Sequence, residues 1–240
     1  MAEPEDIMAA IETLTITKTK SLSSIRSLVT SGPTIEPIDP VRYLGNHSSG
    51  KQGHAIADAL SKLGSDVTLV TGPTNEPDPL NAKVIHIQTA EQMLAACIKS
   101  LPVDVVVCAA AVSDWRVAAV ADQKIKRRAH PNRLELVQNP DILAHLSMDN
   151  VSRPTLVVGF AAETEAVIDN AKRKLTTKGC DWIIANDVSK TTEAFGGTNN
   201  AVHIIDKNQC ESWPHTSKVK IAERLALRIA SQLDDQKLIS

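Results

Sequence analysis

The sequence predicts an α/β fold, a doubly wound and mostly parallel sheet with a protruding extended arm. Strand-like apolar runs alternate with helical stripes from residue 25 onward, the rhythm of repeated βαβ units. The apolar content is aliphatic: hydrophobic residues make up 42% of the 240 and aromatic ones 2%, which suits strands buried on both faces. Small residues crowd the ends of the predicted strands, in "TSGPT", "TGPTN", "AAAVSDW", "GFAAET" and "ANDVS". In a sheet of this kind a ligand binds beyond the carboxyl ends of the strands, and small residues let it approach the backbone closely.

The elements follow in order. "PEDIMAAIETL" (4–14) reads as a short amphipathic helix, with Pro4 in its first turn and Glu5 and Asp6 at its positive end. The polar 15–23 reads as a linker, so residues 1–23 stand apart and 24–240 form the main domain. "IRSLVTSG" (25–32) is a strand, 33–49 an irregular loop, and 50–64 a helix with Ile56, Ala57, Leu60 and Leu63 on one stripe. Strands at 66–72 and 83–88 precede a helix at 90–101, with Thr89 as its N-cap. The runs 104–112, 155–163 and 181–187 are apolar throughout and read as central strands, the last two separated by a helix at 164–178. A last strand at 201–206 and a closing helix at 216–233 complete the chain. One segment breaks the rhythm: "KIKRRAHPNRLELVQNPDIL" (124–143) is an extended excursion whose alternating arm "RLELVQ" needs a partner, within the domain or across a dimer.

Composition excludes several classes. A net charge of −2 argues against a general polyanion-binding surface, and the lack of stacking rings argues against single-stranded nucleic acid as a ligand. The cysteines at 97, 108, 180 and 210 form no C-x-x-C pair and read mostly as buried thiols in a reducing compartment. No apolar run reaches the roughly 18 residues of a membrane span and no signal peptide is visible, so the expected location is cytoplasmic. The histidines show no ligand spacing, and no Ser-His-Asp order, H-E-x-x-H or C-x-x-C stands out, which leaves metal ligands unassigned.

"GNHSSGKQ" (45–52) is one letter from the phosphate-binding signature G-x-x-x-x-G-K-[ST], with Gln52 where the hydroxyl belongs. A P-loop follows a strand directly, whereas Pro37 and Pro40 make the preceding stretch a poor central strand. Ser48, Ser49 and Gly50 nevertheless precede a well-formed helix. Either they present free N–H groups and hydroxyls to an anion, or a serine simply caps the helix. Arg42 and Asn46 lie in the same loop, one able to hold a phosphate or carboxylate bidentately, the other offering a donor and an acceptor. Asp114, after the most apolar strand, is either a ribose acceptor or a turn residue. Lys124, Lys126, Arg127 and Arg128 are either a solvated face or cations for a polyphosphate. Lys174 and Lys178, four residues apart, share a helix face. Phe160 reads equally as core or as a ligand contact.

Taken together, "TSGPTIEPIDPVRYLGNHSSGKQG", "AAAVSDWR…KIKR", "LVQNPDIL", "GFAAET" and "ANDV" occur in the order found in the phosphopantothenate–cysteine ligases, which the chain resembles from about residue 24 to its end. The resemblance implies a Rossmann-like fold, a homodimer and a step of coenzyme A synthesis. In bacterial members the carboxylate of 4′-phosphopantothenate attacks CTP to give an acyl-cytidylate and pyrophosphate, and L-cysteine then displaces CMP; Mg²⁺ accompanies the nucleotide. By motif, Asn46 would contact the acyl intermediate, Arg42 would support its loop and the second half-reaction, and Lys124 would neutralise the triphosphate. Cys108, Ala109, Ala110, Asp114, Pro140, Asp141, Ile142, Leu143, Phe160, Lys174 and Lys178 would bind CTP. Gly32, Ser48, Ser49 and Gly50 are the expected phosphate-binding residues. Arg127 stands where the family often has lysine, and the charge survives. "MAEPEDI" (1–7) resembles the end of the flavin-dependent decarboxylase half of the bifunctional bacterial enzyme, which implies a decarboxylase tail at 1–23 and a decarboxylase domain as fusion or assembly partner. A non-catalytic dinucleotide-binding module is the alternative, disfavoured because no G-x-G-x-x-G follows the first strand. Binding of RNA through "KIKRR" is weaker still.

Overall fold

A computed structural model describes residues 22–126, 133–149, 151–188 and 197–239. The expected helix at 4–14, the linker up to residue 21, Arg127 and Arg128 lie outside the described residues. In chain order the elements are β1 (Arg26–Ser31), β2 (Ile35–Pro37), β3 (Tyr43–Gly45), α1 (Lys51–Lys62), β4 (Asp66–Thr71), β5 (Ala82–His86), α2 (Ala90–Ser100), β6 (Val105–Cys108) and β7 (Trp115–Val117). They continue with β8 (Leu136–Gln138), α3 (Ile142–Met148), β9 (Leu156–Glu163), α4 (Val167–Lys178), β10 (Trp182–Asp187), β11 (Asn199–Ile205), β12 (Cys210–Ser217) and α5 (Lys218–Ile239).

Eight strands form one sheet in the order β5-β4-β1-β6-β9-β10-β11-β12, parallel except for the antiparallel pairs β10–β11 and β11–β12. This is a Rossmann-like α/β fold. From β1 the chain winds outward through β4 and β5, then returns to β6 and winds the other way, so strand order reverses between β1 and β6. Alternating side chains feed both faces. Val29, Val105, Val107 and Val158 pack on one side with Ile56 and Leu60 of α1 and Leu225 and Ile229 of α5. Leu28 and Val106 face Met93 of α2 and Leu146 of α3 on the other, where Val157 and Ile183 meet Ala171 and Leu175 of α4. Each fully buried Val, Leu or Ile contributes about 1.5–3 kcal/mol.

The structure corrects the sequence reading in several places. Leu22, expected in the linker, is fully buried, and its N–H bonds the Leu63 carbonyl at 3.1 Å. The loop at 33–49 contains the hairpin β2–β3. Pro37 ends an edge strand and Pro40 lies in the turn, where a missing N–H costs no ladder bond. Buried Glu36 pins this hairpin, its Oε1 accepting from Ala90 N at 2.9 Å at the start of α2. The arm finds its partner within the chain, β8 pairing antiparallel with β7. The end of the expected excursion is the short helix α3, capped by Asp141, whose Oδ1 accepts from Ala144 N at 3.0 Å. The expected strand 104–112 stops at Cys108, and beyond it only an isolated parallel bridge between Pro33 and Ala111 continues the pairing with the chain after β1. An eighth strand, β12, follows the expected last one; Pro214 sits there on the sheet edge. No helix among the described residues is long and apolar enough to cross a membrane.

Candidate functional site

Two neighbouring cavities open over the carboxyl ends of β1, β6 and β9, at the reversal of strand order. The larger, about 520 Å³, is lined by Cys108, Ala110, Asp114, Pro140, Asp141, Ile142, Leu143, Phe160, Lys174 and Lys178, among others. Of the expected nucleotide-binding residues, only Ala109 and Lys124 are missing from this wall. The smaller, about 150 Å³, is lined by residues 47–53, Ala109, Ala110, Ala111, Phe160, Ala162, Asn186, Val188, Asn200 and Lys218. Ala109 belongs to this one, and Ala110 and Phe160 line both.

The start of α1 forms one wall of the smaller cavity. Neither Ser48 nor Ser49 is the N-cap, as the sequence had allowed. That position is Gly50, at φ +76°, with no side chain capping the helix. A side chain here would be strained by the left-handed backbone and would meet Thr74 Oγ1 at 2.8 Å. The serines brace the turn instead: Ser48 Oγ accepts from Gly50 N at 3.3 Å and Thr74 Oγ1 donates to the Ser49 carbonyl at 2.6 Å. Behind the turn, buried Ser31 donates to the Gly50 carbonyl at 2.9 Å and lies 3.0 Å from His54 Nδ1. The positive end of a twelve-residue helix is thereby fixed toward the cavity without a capping side chain, an arrangement that favours anions.

Arg42 and Asn46 line neither cavity; they hold the loop. The Arg42 Nε donates to Asp39 Oδ2 at 3.0 Å, and its Nη2 bonds the same oxygen and the Ile125 carbonyl. Asp39 has a fully buried side chain and also accepts from the N–H groups of Val41, Arg42 and Ile125. The Arg42 guanidinium, helped by these N–H groups, holds its carboxyl well below the usual range against the opposing cost of burial. One carboxylate thus ties the hairpin to the segment carrying Lys124, which itself lines neither cavity. Asn46 Nδ2 donates to the Val112 carbonyl at 2.8 Å. That places Asn46 between His47, on the smaller cavity, and Val112, on the larger.

Gly32 also lines neither cavity. Its place is set by packing: an added Cβ would stand 2.9 Å from the Gly72 carbonyl oxygen. In the larger cavity Lys174 pairs with Glu163 at 2.7 Å, and Lys178 pairs with Asp141. Cys108 is part of the wall, and burial drives its thiol well above its ordinary pKa. Cys97 and Cys180 are buried and Cys210 is exposed.

Sequence reasoning missed Lys218, the first residue of α5, which is 8% exposed and lines the smaller cavity. Burial and then the nearby charge of Lys51 lower its pKa, with Glu76 acting in the opposite direction. Its position just before a closing helix reads as an ordinary helix start, and no local pattern ties it to a loop some 170 residues earlier.

Residues 22–233 match the family described as the DNA/pantothenate metabolism flavoprotein C-terminal domain. The chain belongs to this family. It is 41% identical over 230 residues to the coenzyme A biosynthesis bifunctional protein CoaBC of Haemophilus influenzae, an alignment covering 95% of this chain and 57% of that protein. The CoaBC of Escherichia coli K12 is 41% identical over 219 residues, 90% of this chain and 54% of that one. The chain therefore spans little more than half the length of these curated relatives. Among solved structures, the C-terminal domain of CoaBC superimposes with a TM-score of 0.76 at 36% identity, covering 90% of this chain and all of that domain.

Proposed function

We propose that the chain is a phosphopantothenate–cysteine ligase, joining 4′-phosphopantothenate to L-cysteine at the expense of CTP in coenzyme A synthesis. The observation that carries this reading is convergence. Segments far apart in sequence, around residues 47–53, 108–114, 140–143 and 160, meet at two neighbouring cavities that share Ala110 and Phe160. The larger lies within the roughly 300–1,000 Å³ of small-molecule sites and takes the nucleotide, with Asp114 toward the ribose and Lys174 and Lys178 beside the phosphates.

In the first step a carboxylate oxygen of the acid bonds to the α-phosphorus, and pyrophosphate leaves. In the second the cysteine amine attacks the acyl carbon; the amide forms, the amine loses a proton, and CMP leaves. Neither step needs a protein nucleophile. The work is to align two anions and offset their repulsion. Asn46, between the two cavities, is placed for the acyl group, and Arg42 keeps its loop rigid through Asp39. Magnesium would supply charge neutralisation on the phosphates. Among the described residues no group of three or more His, Cys, Asp or Glu is gathered to hold a metal, which fits an ion carried mainly by substrate phosphates.

A homodimer belongs to this reading. Val41, Tyr43, Trp115, Val120 and Leu136 are exposed on or beside the β2–β3 and β7–β8 ribbons, an apolar surface a second copy would cover. Lys124, outside the cavities of its own chain, would then be offered to its partner's. A cytoplasmic setting and a flavin-dependent decarboxylase domain, fused or assembled, complete the proposal, the latter supported by relatives that are named bifunctional.

The test is pyrophosphate release from the purified chain with Mg²⁺ and phosphopantothenate, comparing CTP with ATP, followed by cysteine-dependent release of the nucleoside monophosphate. No release with either nucleotide would end the ligase reading. Sedimentation of the chain and of Leu136→Lys tests the dimer; a monomeric wild type would remove it.

A further inference from the structure

Gln138, Asn139 and Pro140 line the larger cavity and also a further one of about 510 Å³, whose remaining wall is α2 and Arg116. Arg116 lines the second space and not the first. Its guanidinium is turned to the shared segment. Nη1 donates to the Gln138 carbonyl at 2.6 Å and to Asn139 Oδ1 at 3.3 Å, and Nη2 pairs with Glu91 of α2 at 3.0 Å. Accepting at Oδ1 fixes which way the Asn139 amide points, and its Nδ2 donates to the Ser113 carbonyl at 2.8 Å. The Asn139 N–H donates to the Asp114 carbonyl at 2.9 Å, one step beyond Trp115 and Gln138, the last pair of the β7–β8 ladder. Buried Ser113 in turn donates its N–H to Oγ1 of fully buried Thr34 at 2.9 Å. The contacts therefore run from α2 through Arg116 and Asn139 to Ser113 and Asp114, and on to the segment after β1.

What this network holds is the wall proposed for the nucleotide. Ser113, Asp114, Gln138 and Asn139 all line the larger cavity. Asn139 leads directly into Asp141, which caps α3 and pairs with Lys178. A shift of residues 138–139 would move together the group placed for the ribose and the carboxylate that holds a lysine beside the phosphates. The ribbon needs such fastening. It has three residue pairs, and an isolated two-stranded ribbon is marginally stable at best. Arginine suits the task, because its planar fork sends donors in fixed directions, whereas lysine is a point charge on a flexible stem. The Glu91 pair is largely exposed, at 32% and 60% for the two side chains, and exposed pairs add little to stability. The consequence of the arrangement is placement.

We propose that Arg116, together with Asn139, is a positioning residue for the nucleotide: from behind the cavity wall it sets Asp114 and residues 138–141 where the nucleotide meets them. The inference rests on the ligase reading for the identity of that ligand.

The experiment compares Arg116→Lys, Asn139→Ala and Glu91→Gln in the full chain. Calorimetry gives the affinity for CTP and, alongside, for ATP. Pyrophosphate release gives kcat and the KM values for nucleotide and for 4′-phosphopantothenate, and thermal unfolding gives Tm. Arg116→Lys keeps the charge and loses the fork. It is expected to weaken nucleotide binding and raise the nucleotide KM roughly tenfold, the worth of a charge-assisted hydrogen bond, with KM for the acid unchanged. Asn139→Ala should do the same, and the double variant should be little worse than either, because both act on one segment. Glu91→Gln leaves both Nη1 contacts in place and should have the smallest effect.

A lower Tm with unchanged nucleotide affinity, or both KM values rising together, would make Arg116 a structural residue and overturn the proposal. If Arg116→Lys does not fold, Asn139→Ala decides by the same readings; if neither folds, the network holds the fold as a whole and the proposal falls. An active wild type whose variants bind nucleotide normally would refute the positioning role and leave the ligase reading standing. A wild type that binds nucleotide but releases no pyrophosphate, with binding weakened in both variants, would do the reverse. Binding of neither nucleotide by the wild type would end both.

Discussion

Replacing Gly53 with alanine sets two known effects against each other at the edge of the site. Gly53 is in the first turn of α1, where alanine on propensity alone would add about 1 kcal/mol of stability. An added Cβ, however, would stand 2.3 Å from Ser31 Oγ, 2.5 Å from Ser31 Cβ and 3.0 Å from Ser31 Cα. Ser31 cannot swing away. It is fully buried, and its hydroxyl is engaged with the Gly50 carbonyl and His54 Nδ1. Overpacking of this kind costs typically about 1–3 kcal/mol, occasionally more, and contacts this short belong at the upper end. The net expectation is a loss of about 2 kcal/mol, a fall in Tm of roughly 4–8 °C for a chain of this size. The relief variant is Ser31→Gly in the Gly53→Ala background. It should recover part of the loss, so that the two substitutions couple by about 1 kcal/mol or more. Thermal unfolding followed by circular dichroism measures both. A Gly53→Ala protein as stable as the wild type, or more so, would show that α1 is free to shift on β1, and the account of a rigidly fixed helix start would be wrong.

Asp39→Asn should release Arg42 and the segment at Ile125 together, lowering pyrophosphate release at least tenfold with little change in the affinity of isolated nucleotide; equilibrium binding alongside turnover checks this. Asn46→Asp should leave formation of the acyl-nucleotide in place and slow its conversion by cysteine, resolved by rapid-quench assay of each half-reaction; equal loss of both would remove the role given to Asn46. Glu211 accepts from Trp213 Nε1 at 2.7 Å and pairs with Arg224 and Arg228 of α5. Burial pushes its pKa up, but these donors outweigh it and hold the carboxyl below the ordinary glutamate range. A depressed folded pKa gives stability that is complete above the unfolded value and lost as pH falls through the folded one. The stability deficit of Glu211→Gln, about 1 kcal/mol or less for so exposed a pair, should therefore be constant from pH 6 to 8 and shrink as the carboxylate protonates at acid pH, as followed by thermal unfolding across that range.

The parallel core was legible because its signals are local. Apolar runs such as Val105–Val107 and helical stripes such as Ile56, Ala57 and Leu60 carry their own periodicity, and all landed in the core. What the sequence hid depends on distant partners. β2, β3 and β7 have three residues each, too short for alternation to show, and the arm around β8 alternates without revealing that β7 is its partner. β12 buries Trp213 alone along its length, so it has no apolar face to read. Helix α3 was visible in principle, since Asp141 after Pro140 is a helix-start signal; the preceding charged arm masked it.

The site divides along the same line. Most residues recognised by motif lie at or just beyond strand ends that the parallel ladder must deliver to one end of the sheet, because β1, β4, β5, β6, β9 and β10 all run the same way. Their convergence on the larger cavity follows from topology once the strand order is known. Gly32 and Lys124 stand in the expected loops but line neither cavity, and Gly32 packs closely against the Gly72 backbone. Lys218 shows the converse. It enters the site only because β11 and β12 fold back antiparallel and return the start of α5 to the end of the sheet where α1 begins. A lysine placed there by a reversal of chain direction has no signature in its neighbours, and only the three-dimensional arrangement sets its buried charge beside Lys51.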